Sequence, residues 1–423
     1  MVNKIREGYK VTELGEIPNE WSIMKLSEIA EINPRREVLE DKDTVSFIAM
    51  EDITNNGRVI NKTDKLYEEV KKGYTPFKDN DVLLAKITPC FENGKRALVG
   101  KLSNGIGFGS TEFHVLRANK ESISKFLYYV ISSHRFMSKA ENNMTGSAGQ
   151  KRVPTEFIKD YVLAVPTIKE QEKIASILST IDEQIDNVDA LIEKNKELKK
   201  GLMQTLLTKG IGHTKFKKSD IGEIPEAWEL FLLENVTERM IVGLATSVTE
   251  YYRESGIPII RNMNIKNGYF DDSSMLYLDE KFANSMLGKT VKTNDVITVH
   301  TGSNIGLTCV VPKEYNEAHT FTTLITTTKR NLLNPEYLMY SINSEYGVNE
   351  INRLQVGGGK SNLNVKEFKL YRIAVPPIEE QEKIVSILKE VDKKINKYSK
   401  KKQLLEQVKT GLIQQLLTGK IRV

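Results

Sequence analysis

From Ile174 onward, a seam of mostly apolar positions returns in alternating steps of four and three: Ile174, Leu178, Ile181, Ile185, Val188, Ile192, Asn195, Lys199, Leu202 and Leu206. The same steps run through Ile384, Leu388, Val391, Ile395, Tyr398, Lys402, Leu405, Lys409, Leu412 and Leu416. An apolar seam sustained over several heptads predicts a coiled coil. No proline falls between Thr167 and Thr208 or between Ile378 and Thr418, and Pro166 and Pro376 stand where a helix starts. Glu170, Glu172, Glu379 and Glu380 suit the positive N-terminal end of such a helix. Each helix is expected to run for roughly 40 residues, about 60 Å at 1.5 Å per residue. The two stripes are expected to bury each other in an antiparallel pair, which would put a globular body at each end. Asn195, Lys199, Lys402 and Lys409 interrupt the seam, and either set its register or face another subunit.

Outside these stretches the pattern is short apolar runs bounded by Asn, Asp and Gly, which predicts strands joined by turns. Asn80-Asp-Val-Leu-Leu-Ala-Lys86 and Asn294-Asp-Val-Ile-Thr-Val-His300 are one such pair. Glu112–Arg117 is another strand, matched loosely by Thr320–Ile325. Lys125–Ile131 and Glu336–Ile342 read as helices, and Tyr161–Val165 and Tyr371–Val375 as closing strands. Asn56-Gly57 and Asn267-Gly268 mark turns, and Gly-rich loops follow at Thr145–Arg152 and Gln355–Asn362.

These elements pair across the chain because the chain is written twice. Ala164–Leu178 recurs 210 residues later as Ala374–Leu388, with twelve of fifteen positions identical. Leu14-Gly-Glu-Ile-Pro-Asn-Glu-Trp21 recurs as Ile221-Gly-Glu-Ile-Pro-Glu-Ala-Trp228, where each Trp is expected to anchor a core. The expected architecture is mixed α/β. Residues 1–165 form one body, 166–209 the first long helix, 210–375 a second body and 376–423 the second long helix.

Composition narrows the class. At 423 residues, 39% hydrophobic and 28% charged, the chain is an ordinary globular protein of several domains. No apolar run approaches the ~20 residues of a membrane span. Met1–Glu20 lacks the apolar core of a secretory signal, and Cys90 and Cys309 are too few for a disulfide framework, so a cytoplasmic setting is expected. The net charge of +5 is compatible with a polyanionic partner.

Catalytic motifs are missing. Gly357-Gly-Gly-Lys-Ser361 invites a phosphate-loop reading, but Leu354 stands where that loop needs its first glycine. Asn33-Pro-Arg-Arg36 and Asn334-Pro-Glu-Tyr337 are not the Asn-Pro-Pro-Tyr type of methyltransferase motif. His114, His134, His213, His300 and His319 lack metal-ligand spacing, so no metal or cofactor is expected.

Two divergent bodies on one repeated frame suit an extended ligand, and DNA fits. Loops mixing Lys or Arg with Asn, Thr, Ser and Gly supply phosphate contacts and base-edge hydrogen bonds. The candidates in the first body are Lys86, Thr88, Lys95, Arg96, Gln150, Lys151 and Arg152. In the second they are Arg261, Asn262, Thr301, Ser303, Asn304, Lys360 and Asn362. Two other readings stay open, a scaffold joining two protein-binding modules and a self-contained DNA enzyme.

The chain resembles the specificity subunit of type I restriction–modification systems. The resemblance rests on Glu-Ile-Pro-x-x-Trp opening each half, on Asp81-Val-Leu-Leu and Asp295-Val-Ile, and on the Gly-rich loops. Above all it rests on Val-Pro-x-Ile-x-Glu-Gln-Glu-Lys-Ile leading into each long helix, and Gly201–Thr208 and Gly411–Thr418 close those helices in the family's manner. It implies two target-recognition domains, each reading one half of a split double-stranded DNA sequence, and an antiparallel coiled coil that sets their separation. Half-sites one helical turn apart lie roughly 34 Å from each other. It also implies two methyltransferase subunits that carry the methyl donor, and restriction subunits that use ATP. This chain is then expected to be non-catalytic.

Overall fold

The structure, a computed structural model, describes residues 5–355 and 362–423. The chain divides into two compact units, 1–189 with 400–423 and 190–399.

The first unit holds two four-stranded sheets. One is ordered Ala30–Ile32, Phe113–Ala118, Val82–Ala85, Arg96–Leu98, all antiparallel. The other is ordered Thr63–Leu66, Thr44–Ile48, Ile106–Gly109, Thr75–Lys78, with its middle pair parallel. Helices Ser124–Ser132 and His134–Asn142 follow, and Val162–Val165 pairs with Ser22–Lys25 before the first long helix, Ile168–Leu206.

The second unit repeats the plan. Thr237–Val242, Thr323–Thr328, Val296–Val299 and Thr308–Val310 make its antiparallel sheet. Helices Pro335–Asn343 and Glu345–Leu354 follow, and Arg372–Val375 pairs with Glu229–Leu232 before the second long helix, Ile378–Leu416. The two bodies are a mixed α/β repeat, and the two long helices form an antiparallel coiled coil.

The Asn-Asp signals act through backbone geometry. Asn80 and Asn294 take left-handed conformations, φ 68° and 67°, which Asn tolerates better than most residues. The following Asp is buried and accepts a backbone N–H, Lys78 N to Asp81 at 2.7 Å and Lys292 N to Asp295 at 2.8 Å. Arg117 then clamps Asp81 through two bonds of 2.8 and 2.7 Å, while Thr327 donates to Asp295 at 2.6 Å.

One expected strand is divided. Thr320 ends the short strand His319–Thr320, which pairs with Ile257–Ile260 in a second four-stranded sheet. Thr322 turns the chain at φ 54°, and Thr323 opens Thr323–Thr328 in the antiparallel sheet. A run of Thr, Phe, Leu and Ile carries no break signal, so only the packing of two sheets reveals the corner.

The repeated stretch is a structural bolt. Gln171 and Gln381 are fully buried. Gln171 accepts from Ser122 Oγ and Ile123 N and donates to the Glu121 and Pro166 carbonyls. Gln381 accepts from Asn334 N and donates to the Leu332 and Pro376 carbonyls. The preceding glutamates turn inward. Trp21 Nε1 donates to Glu170 at 2.8 Å and Trp228 Nε1 to Glu380 at 3.0 Å. A further basic side chain completes each corner, Arg422 on Glu170 at 2.7 Å and the His213 ring on Glu380 at 2.9 Å. Gly210 and Gly419 close against these corners at φ 66° and 67°, where a Cβ would fall 2.7 Å from Trp228 or 2.4 Å from Pro18.

Along the seam Ile174, Leu178, Ile185, Val188, Ile192, Leu206, Ile384, Leu388, Val391 and Leu416 are buried. Ile181, Leu202, Ile395, Leu405 and Leu412 are half-buried. Met203 and Ile413, which the four-three steps leave out, are buried too.

Three of the polar interruptions form ion pairs between the helices. In the first unit Lys409 meets Asp182 at 2.5 Å and Lys402 meets Asp189 at 2.7 Å, so partners rise on one helix as they fall on the other. In the second unit Lys199 meets Asp392 at 2.7 Å. Asn195 instead donates to Leu191 O on its own helix at 2.7 Å. Among the described residues no helix is long and apolar enough to cross a membrane.

Candidate nucleic-acid interface

In the first unit, the chain leaving strand Val82–Ala85 runs beside the segment that follows the Gly-rich loop. Thr88 N donates to Lys151 O at 3.0 Å, Val153 N to Lys86 O at 2.9 Å, and Ile87 bridges Arg152. Lys86 and Thr88 are thereby brought against Gln150, Lys151 and Arg152. Gln150 and Lys151 are exposed and Lys86 is half-buried. Arg152 is committed to Glu112 through bonds of 2.8 to 3.2 Å, and its guanidinium holds the Glu112 carboxyl below the usual range.

Lys95 and Arg96 point elsewhere. Lys95 Nζ donates to Met50 O at 2.7 Å. Arg96 donates to Ser132 Oγ at 2.5 Å and Gly94 O at 2.8 Å, and burial lowers its pKa from the ordinary arginine value.

The second unit places its loops the same way. Leu363 N donates to His300 O at 2.9 Å, Thr301 bridges Asn362, and Asn262 Nδ2 donates to Thr301 O at 3.2 Å. Ser303, Asn304 and Asn362 are exposed. Arg261 is half-buried and donates to Ser274 O at 2.6 Å. Lys360 and the glycines before it lie outside the described residues. His300 is partly buried, both ring nitrogens lack a partner among the described residues, and burial lowers its pKa, favouring the neutral ring.

The loop that begins at Asn33 was not among the sequence candidates. His114 Nε2 bonds Val153 O at 2.8 Å, while its Nδ1 lies 3.3 Å from Asn33 Nδ2. A single buried imidazole thus ties the Asn33-Pro-Arg-Arg36 loop to the Gln150–Val153 segment and leaves Arg35 exposed. Burial lowers the His114 pKa and favours a neutral ring, which donates to Val153 O and accepts from Asn33. Two consecutive arginines behind an Asn-Pro turn are the signal that could have found this loop.

Both loop pairs offer amide and hydroxyl donors of the kind that meet phosphates and base edges, and the first adds the cations Lys86 and Lys151. Cys309 is fully buried and burial raises its thiol pKa, so it is no nucleophile.

Fold and site together define a tandem of two like bodies, each presenting a polar loop pair, carried on an antiparallel helix pair. A sequence profile of the type I restriction modification DNA specificity domain matches residues 18–198 and again 225–407. The chain belongs to that family.

Over 215 residues the chain is 37% identical to the specificity subunit of the type I restriction enzyme EcoAI and 38% identical to that of EcoEI, both from Escherichia coli. These alignments take in 50% of this chain but only 36% and 35% of those relatives. The MjaVIII specificity subunit of Methanocaldococcus jannaschii is 28% identical over 350 residues, 82% of this chain and 80% of the relative. The solved S subunit of the type I restriction–modification system from M. genitalium shares the fold. It has a TM-score of 0.57 at 16% identity and covers 98% of both chains. A chain solved in a study of type I complex assembly gives the same TM-score at 17% identity, covering 96% of this chain and 99% of its own length.

Proposed function

We propose that this chain is the DNA-recognition subunit of a type I restriction–modification complex. Residues 1–165 and 210–375 each read one half-site of a split duplex target, while 166–209 and 376–423 form the frame that sets their spacing. Two methyltransferase subunits dock on it with the methyl donor, and restriction subunits supply ATP-driven cleavage, so catalysis lies outside this chain. The observation that carries this reading is the pair of equivalent loop junctions. Lys86–Thr88 lies against Gln150–Arg152, and His300–Thr301 lies against Asn362. One scaffold thus presents two different side-chain sets, which is what a two-part target requires.

The test maps methylated adenines genome-wide in cells carrying this chain with its partner subunits. Exchanging residues 22–163 for another body changes one half-site and leaves the other intact. Inserting a heptad into the first long helix alters the spacer and neither half-site. Loss of both half-sites after the exchange, or methylation without sequence preference, overturns the reading in favour of a plain scaffold.

Lys151→Ala separates phosphate from base contacts. It weakens binding to all duplexes alike and lowers the salt slope by about 0.9 per lost phosphate contact. A variant that instead changed the preferred bases would make Lys151 a base reader.

A further inference from the structure

We propose that one carboxylate in each unit, Asp182 and Asp392, is a positioning residue that couples the orientation of a recognition body to the register of the helix pair. The proposal rests on the DNA-reading function above.

Asp182 lies on the first long helix and is held from two sides. Tyr129 Oη, from helix Ser124–Ser132 of the body, donates to Asp182 Oδ2 at 2.7 Å. Lys409 Nζ, from the second long helix, meets Asp182 Oδ1 at 2.5 Å. The second unit repeats the arrangement with helix roles exchanged. Tyr340 Oη donates to Asp392 Oδ2 at 2.7 Å, and Lys199 Nζ meets Asp392 Oδ1 at 2.7 Å. Asp392 follows Asp182 by 210 residues and Lys409 follows Lys199 by the same interval. The triad therefore recurs with the duplication, although it lies outside the fifteen-residue repeat.

The geometry distinguishes this triad from ordinary surface ion pairs. Both tyrosines are buried, at 3% and 2% exposure, and the two lysine side chains are 19% and 16% exposed. Burial, reinforced by the neighbouring carboxylate, keeps both phenols protonated, so each tyrosine is a donor. A charge-assisted O–H···O⁻ bond at this depth is stronger and more directional than a neutral one. One carboxylate oxygen serves the body and the other serves the opposing helix. Sliding one helix along the other pulls the oxygen that holds Lys409, and the same rigid carboxylate must then turn the oxygen that holds Tyr129. Helix register and body orientation are thus coupled in each unit, and a measuring frame whose bodies must meet a fixed spacer needs that coupling.

Tyr129→Phe keeps the ring and the ion pair and removes only the hydroxyl's bonds from body to helix, to Asp182 and to Ser179 Oγ at 3.3 Å, while Arg58 to Asp186 still links body and helix. The same logic applies to Tyr340→Phe, where Lys389 to Glu336 remains at 2.8 Å. The experiment reads two quantities on the full chain in a Cys90→Ser background. Spin labels at Asn61→Cys and Glu183→Cys report the width of the body-to-helix distance distribution in the first unit. The chain assembled with methyltransferase subunits reports relative affinity for duplexes whose spacer differs by one base pair.

Tyr129→Phe is expected to broaden the distance distribution. It is also expected to reduce spacer discrimination by about tenfold or more, the range set by one hydrogen bond to a charged group. The preferred bases in both half-sites stay the same. An unchanged distribution overturns the proposal, and so does a broadened distribution with spacer discrimination intact. If the distribution broadens but the unmodified chain discriminates among no duplexes, the tether stands and the DNA-reading function falls.

Discussion

Trp21→Ala lowers the stability of the first unit by about 3–5 kcal/mol, the usual cost of truncating a fully buried large aromatic. Trp21 has no exposed surface and packs among Ile17, Leu26, Val165, Ile174 and Leu416. Truncation also strips a donor from Glu170, whose side chain is 5% exposed and would keep Arg422 as its charged partner. Against a typical total of 5–15 kcal/mol this is a large fraction. At the 2–4 °C per kcal/mol usual for this size, the first unit should melt about 6–20 °C lower. Hydrogen exchange by segment would place the loss in residues 1–189 and 400–423. Trp21→Phe fills most of the volume but cannot donate, and should cost about 1–3 kcal/mol for the lost hydrogen bond to the Glu170 carboxylate, which keeps Arg422. A shift below 2 °C for Trp21→Ala would show that the corner does not anchor the core.

The second large effect is acid destabilisation of the second unit through Glu350. Its carboxylate is 3% exposed and is held by Arg372 at 2.8 Å and Arg353 at 2.6 Å, with the Arg372 backbone N–H at 3.1 Å. Burial alone would raise its pKa, but the two guanidiniums and the backbone donor outweigh burial and hold it at about 2, against an ordinary 4.5. A depressed carboxyl stabilises the fold at pH values above its unfolded pKa, and that contribution is lost as pH falls from about 4.5 towards 2. The full shift corresponds to ~3 kcal/mol, and because Arg353 and Arg372 are partly solvated ~1–2 kcal/mol is the better expectation. Denaturant midpoints of the second unit should therefore fall between pH 5 and about 2.5. Glu350→Gln should begin lower and lose little over the same window. Parallel curves for the two proteins would remove Glu350 as the cause.

Much of the architecture was readable because periodicity records burial directly. The four-three spacing from Ile174 and Ile384 marks the face each helix must cover, and the echoed Trp21 and Trp228 mark where each body begins. Asn-Asp before Val82 and Val296 locates strands because Asn80 and Asn294 accept a left-handed turn that most residues resist. The fate of polar groups inside those elements was less readable. Glu170 and Glu380 suit a helix N-terminus, yet each faces an indole and a second side chain, Arg422 or His213, that are remote in sequence. The Thr320–Ile325 run hides a corner because β-branched residues serve either sheet equally well.

The candidate loops divide along the same line. Composition picked out Lys86, Thr88, Gln150, Lys151 and Arg152; backbone pairing between distant segments places them together, and Arg152 is spent on Glu112. The same composition picked out Lys95 and Arg96, which donate to Met50 O, Ser132 Oγ and Gly94 O within the body. No local signal could separate the two groups, since a side chain's availability depends on what folds over it. His114 shows the converse, a residue without a motif whose buried ring ties two basic segments.

The sequence by itself determined the duplication, the mixed α/β bodies and the two long helices, because these follow from periodicities of a few residues repeated many times. The tertiary structure alone decided the partners of Lys199, Lys402 and Lys409, the tethering of Tyr129 and Tyr340, and the loops that share a junction. Those outcomes depend on single contacts between residues tens to hundreds of positions apart, and a periodic pattern carries no record of them.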